Sequence, residues 1–193
     1  MVCSVEVVPW EVFVDSASGV GAGIVVITPE GIKLEHSFWL GFKTSNNEAE
    51  YEALLVGLRV VSDLGAKEVE IYSNSLLIVN QVQGSFEAKD PWMMEYLQLV
   101  KQIVDHFQKV RVIQVAWGQN RHADSLATLV SSLAKKIPWL IKVEVVAEPS
   151  INVGVNVSMV TMVGPCWMDP IIDFLTKDRV PANEKEAEKY IGQ

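Results

Sequence analysis

Thr44-Ser45-Asn46-Asn47-Glu48-Ala49-Glu50-Tyr51-Glu52-Ala53-Leu54-Leu55-Val56-Gly57-Leu58 is the stretch on which the fold turns. Ser45 followed three residues later by Glu48 is a capping-box signature, which starts a helix at this point. Ala49, Ala53, Val56 and Val60 recur at helical spacing, with Leu54, Leu58 and Val61 beside them. That apolar stripe is broad enough to lie on a sheet. Glu48, Glu50 and Glu52 have an ordinary explanation in the attraction of carboxylates to a helix N-terminus. The positions of the other acids give a second one.

Working outward toward the N-terminus, three short β-rich runs precede the helix. Trp10 to Asp15 ends at an acid, Gly21 to Ile27 follows a Ser-Ala-Ser-Gly turn, and Ile32 to Leu40 follows Thr28-Pro29-Glu30-Gly31. The short turns make this an antiparallel meander. The glycines at 19, 21 and 23 are not a dinucleotide loop, because the sixth position is Ile24 and a strand follows.

Toward the C-terminus, Gly65 stops the first helix, Glu68 to Tyr72 reads as a fourth strand, and Ser73-Asn74-Ser75 leads into a short apolar helix ending near Gly84. Asp90-Pro91 caps an amphipathic helix with Met93, Tyr96, Leu97, Val100, Val104 and Phe107 on one face. Val110 to Val115 is a fifth strand, and a last helix begins near Asn120. Strands 1, 4 and 5 are separated by helices, which predicts parallel pairing among them. The fold class is therefore α/β, a five-stranded mixed sheet flanked by helices. Its predicted extent is 8–136, with 137–193 a Pro- and Asn-interrupted linker carrying short helices from Asp169 and Asn183.

The chain is 193 residues long, 49% hydrophobic and 21% charged, which fits one ordinary domain plus an extension. No apolar run approaches the ~18 residues of a bilayer span, so no membrane role is expected. Two cysteines are too few for a disulfide framework, and no leader is evident, so the expected setting is intracellular, cytoplasmic or nuclear. A net charge of −8 argues against nucleic-acid binding by bulk attraction; with such a partner, metal ions must offset some of the repulsion.

Asp15 ends the first strand and Asn74 lies just past the fourth, so parallel pairing puts both at the carboxyl edge of the sheet. Glu48 opens the first helix and Asp124 lies in the first turn of the last. Acids gathered without Lys or Arg beside them call for a cation, and an all-oxygen set selects Mg²⁺ or Mn²⁺. Asn74 also has a plain structural reading as the N-cap of the helix that follows it.

These residues resemble the type 1 ribonuclease H domain of Ty3/gypsy-like plant retrotransposon polyproteins. The likeness is carried by Trp10 to Ser18, Gly21 to Ile27, Asn46 through Leu54 with Gly57-Leu58, Ile71-Tyr72-Ser73, Asn80 through Gly84, and Asn120 through Ala127. Trp167 through Leu175 resembles the segment that leads to integrase in such polyproteins. The resemblance implies hydrolysis of the RNA strand of an RNA–DNA hybrid with two Mg²⁺ ions, which Mn²⁺ can replace. It implies Asp15, Glu48, Asn74 and Asp124 as catalytic metal ligands, and Asn46, Asn47 and Asn120 on the substrate side, where a 2′-hydroxyl marks RNA. Reverse-transcriptase and integrase regions of a parent polyprotein are the implied partners. Three positions depart from the family pattern: Asn74 replaces Asp, Ser16 replaces Gly, and Trp117 replaces Arg. The first removes one of four negative charges from the site, so the expectation is impaired catalysis, with a catalytically silent nucleic-acid-binding module or a non-functional mobile-element remnant as the alternatives.

Overall fold

The computed structural model describes residues 7–133 and 143–152, which fall in one compact unit. Strands β1 (Trp10–Ala17), β2 (Gly21–Ile27) and β3 (Lys33–Leu40) form the antiparallel meander. Helix α1 (Asn46–Asp63), strand β4 (Glu68–Ser73), helices α2 (Leu76–Gln83) and α3 (Pro91–Val104), strand β5 (Lys109–Gln114) and helix α4 (Arg121–Leu133) follow. As the intervening helices require, β1 pairs parallel with β4, and β4 with β5.

The sheet has six strands, in the order β5-β4-β1-β2-β3-β6, not the five expected. The added strand, β6 (Glu144–Val146), runs parallel to β3 and lies past residue 136, in what reads as linker. Without it β3 would be an edge strand; seated there, Val143 and Val146 are only 4% and 3% exposed. The expected helices from Asp169 and Asn183, and the integrase-like stretch at 167–175, lie outside the described residues. Among the described residues no helix is long and apolar enough to cross a membrane.

Side-chain alternation along β2 separates the two faces of the sheet. Ile24 points toward α1, where it and Val12 and Val14 close around Gly57. Gly21 and Gly23 point toward α4. A Cβ at Gly23 would stand 2.0 Å from the Ala123 carbonyl oxygen, so the bare backbone is what lets α4 lie directly on the sheet. The core between α1 and the sheet includes Leu54, Leu55, Leu58, Phe38, Leu40 and Ile71, all 1% exposed or less. Each such side chain contributes about 1.5–3 kcal/mol over its exposed state. Both faces carry into the site: α1 delivers its N-terminus to one end of β1, and α4 brings its own N-terminus there from the other side.

Candidate active site

The sheet register sets the first two positions. Val14 pairs with Ser73, so Asp15 and Asn74 are the next residues along two parallel neighbours. Asp15 is 2% exposed and opposite Gly23, on the face that α4 covers. Its Oδ1 accepts the Ser16 N–H at 2.9 Å, while Oδ2 is buried with no donor. Asn120, 1% exposed, is the brace: its amide nitrogen donates to the Val14 carbonyl at 2.8 Å and to Asn74 Oδ1 at 3.1 Å. Asn120 therefore holds the end of β1, the end of β4 and the start of α4 together. Its predicted place facing substrate is not what the structure shows; only Oδ1 is left without a partner, and it too is buried.

Asn74 is not the cap of α2. That role belongs to Ser75, whose Oγ accepts the Ile78 N–H. Asn74 and Asn120 instead lie near enough to Asp15 to lower its carboxyl pKa. Asp124, half-buried in the first turn of α4, lies close enough to Asp15 to raise it. Burial is the largest influence, and together these push Asp15 up to about 6.

Of the three acids opening α1, the one that reaches this cluster is Glu50, not Glu48. Glu48 completes the capping box: its Oε2 accepts the Ser45 N–H at 2.5 Å, and its own N–H donates to Ser45 Oγ at 3.3 Å. Held in the capping box, Glu48 is not among the groups that act on Asp15, which differs from its expected place in the ligand set. Glu50 is pushed up to about 7, first by burial and then by the negative charge of Asp15, with the Ser16 hydroxyl acting in the opposite direction. Glu50 Oε2 is buried without a donor. Helical geometry held a signal for this choice: Glu48 and Glu50 are two residues apart and cannot share a face, so a Glu48 committed to the capping box leaves Glu50 for the sheet.

Asn46 and Asn47 lie exposed in the first turn of α1, open to a ligand. Trp117 stands 59% exposed in a 3-10 turn before α4. His122 is engaged on the β3 side, where its Nε2 lies 3.0 Å from Glu35 Oε1 and Lys33 approaches Nδ1.

Two buried carboxylate oxygens without donors, next to a third acid and an amide oxygen, are a set of hard oxygen donors suited to a divalent cation. Among the described residues no three of His, Cys, Asp and Glu are already drawn into ligand spacing.

Comparison with known proteins bears on the family and the fold. Ribonuclease HI of Halobacterium salinarum is 28% identical over 104 residues, which are 54% of this chain and 52% of that protein. An uncharacterised protein of Bacillus subtilis, YpeP, is 32% identical over 120 residues, 58% of this chain and 52% of its own length. The chain thus spans about half the length of these curated relatives. The solved structure of LC11-RNase H1, a compost-derived protein in complex with an RNA/DNA hybrid, is 31% identical with a TM-score of 0.60. That match covers 66% of this chain and 99% of LC11-RNase H1. With residues 11–130 matching the family described as reverse transcriptase-like, this chain belongs to that family and carries its ribonuclease H-like domain.

Proposed function

We propose that the chain binds an RNA–DNA hybrid and hydrolyses its RNA strand slowly, with Mg²⁺ or Mn²⁺ held by Asp15, Glu50, Asp124 and the amide oxygen of Asn74. The observation that carries this reading is the pair of buried, donor-free oxygens, Asp15 Oδ2 and Glu50 Oε2. A bound divalent cation supplies Lewis acidity: it makes water a better nucleophile and stabilises charge on the leaving oxygen. The protein's own groups do the rest. Asp15 and Glu50, with pKa values near 6 and 7, retain part of a proton between them at neutral pH. That proton must leave before both carboxylates can hold a cation, so loading improves as pH rises. Asn120 keeps Asn74 and the end of β1 in register, and Asn46 and Asn47 offer amides to the minor groove, where a 2′-hydroxyl separates RNA from DNA.

Asn74 weakens the set. An amide oxygen is neutral, and Asn74 Oδ1 already accepts from Asn120. Loss of a partner of the ligand shell alone costs ~10–100-fold in affinity or activity, and a direct ligand at least that. This observation favours one second reading, a hybrid-binding module without turnover. The retroelement origin, in a plant Ty3/gypsy-like polyprotein with reverse transcriptase before it and integrase after it, is supported by the motif order from Trp10 to Ala127 and by the stretch from Trp167 to Leu175. The strand at Glu144–Val146 supports a ribonuclease H-like domain that runs past residue 136.

Labelled RNA–DNA hybrid and DNA duplex, each incubated with wild type, Asn74→Asp and Asp15→Asn in Mg²⁺ and in Mn²⁺, test the proposal. Cleavage confined to the RNA strand, raised at least about tenfold by Asn74→Asp and abolished by Asp15→Asn, is expected. Hybrid binding without cleavage in all three proteins selects the silent module. No hybrid binding in any form overturns both.

A further inference from the structure

Residues 143–152 contribute no side chain to the site, yet they are attached to α1 through its most deeply buried charge. Glu52 is 0% exposed. A buried carboxylate needs donors, and it has three. Tyr96 Oη donates to Oε1 at 2.7 Å, the Ser150 N–H donates to the same oxygen at 2.7 Å, and Ser150 Oγ donates to Oε2 at 2.5 Å. Two of the three come from Ser150. Arg59, seven residues further along the same helix face, donates from Nη1 to Ser150 Oγ at 3.0 Å, while its Nε and Nη2 have no partner. The Ser150 hydroxyl is therefore the link between a buried acid and a buried base of α1.

The rest of the segment is seated independently. β6 pairs with β3, and the Val146 carbonyl accepts the Gly41 N–H at 2.8 Å. His36 Nδ1 lies 3.3 Å from Glu144 Oε1, and Ile151 packs against the core. Glu50 and Glu52 are two residues apart, roughly on opposite flanks of α1. One flank is held by Ser150 and the other presents Glu50 to Asp15.

We infer that residues 143–152 are a clip that fixes α1 against the sheet through Glu52, and thereby sets the position of Glu50 in the ion site. Unseated, Glu52 keeps only Tyr96 as a donor, and relief comes from tilting or rotating α1 to let water in. Because the helix moves as a unit, that movement carries Glu50 away from Asp15. The consequence for ion binding rests on the function proposed above; the hold on α1 does not. In this way chain beyond the family-matched span controls whether the site is assembled.

Hydrogen–deuterium exchange and Mn²⁺ titration of the full chain test this with Ser150→Ala and Ser150→Asp. The aspartate sets a second carboxylate against Glu52. Expected is exchange at least about tenfold faster in β6 and in residues 46–56, with β4 within about twofold, and a Mn²⁺ Kd raised about five- to tenfold. Ser150→Ala gives the same pattern at about a third of that size, and it decides the matter should the aspartate variant not fold. Faster exchange in β6 with α1 unchanged, a uniform change over all elements, or no change in either overturns the clip. Wild type that binds no Mn²⁺ removes the ion-site reading, and exchange in α1 then judges the clip alone.

Discussion

Replacing Glu50 by Gln should make the ion-free protein more stable at pH 8, against the usual result for a buried residue. Glu50 is raised from 4.5 to about 7 because ionising it means charging a buried oxygen beside Asp15. A carboxyl with a raised folded pKa binds its proton more tightly folded than unfolded. Stability is therefore greatest below 4.5, falls as pH climbs through the 4.5–7 window, and carries the full penalty above it. The shift of about 2.5 corresponds to about 3 kcal/mol as a ceiling. Asp15 shares the same repulsion, and the Gln amide must find a partner, so a gain of about 1–2 kcal/mol is expected. That is roughly 2–8 °C in Tm for a chain of this size. Thermal and urea unfolding in EDTA from pH 4 to 8.5 should show the two proteins converging near pH 4 and separating above 6. Saturating Mn²⁺ should reverse the order at pH 8, because ligand at a hundredfold over its Kd adds about 2.7 kcal/mol to wild type alone. Parallel pH profiles, or a variant less stable throughout, would refute the placement of Glu50 beside Asp15.

Glu48→Ala should cost about 1 kcal/mol through loss of the capping box and leave Mn²⁺ affinity within about twofold, which calorimetry beside Glu50→Gln can read. Gly23→Ala drives a methyl into the Ala123 carbonyl and should cost about 3 kcal/mol or more, with loss of Mn²⁺ binding as α4 lifts. Asn120→Ala strips donors from the Val14 carbonyl and from Asn74, and a stability loss of about 1–3 kcal/mol is expected by urea titration. A loss under 0.5 kcal/mol, the range of ordinary surface changes, would argue against the brace.

The order of elements was legible because local signals agreed with the tertiary outcome. Ser45, Asp90 and Gly65 carry unambiguous cap and stop chemistry, and the structure uses all three, with Gly65 at a φ of +82°. Parallel pairing of β1, β4 and β5 followed from connection lengths alone. Sheet register makes Asp15 and Asn74 neighbours as the sequence suggests, and Asp124 on α4 lies close enough to Asp15 to raise its pKa. The site was not legible where side-chain direction decides: Glu48 and Glu50 differ only in which flank of α1 they occupy, and the capping box settles that. Asn120 was misplaced for a related reason, since motif position does not tell an amide that faces a ligand from one that closes a gap between backbones. β6 was missed because three residues bounded by Pro138 and Pro149 hold no periodic signal; the pairing comes from the open flank of β3.

The Asn120 amide joins residues 106 and 46 positions away in sequence, and this has a consequence for folding. Residues 15–74 hold three of the four groups of the acidic pocket, but the fourth, Asp124, arrives only with α4. The pocket is complete only when the last helical crossover docks, so divalent-ion uptake during refolding should coincide with the slowest phase and report completion of the whole domain.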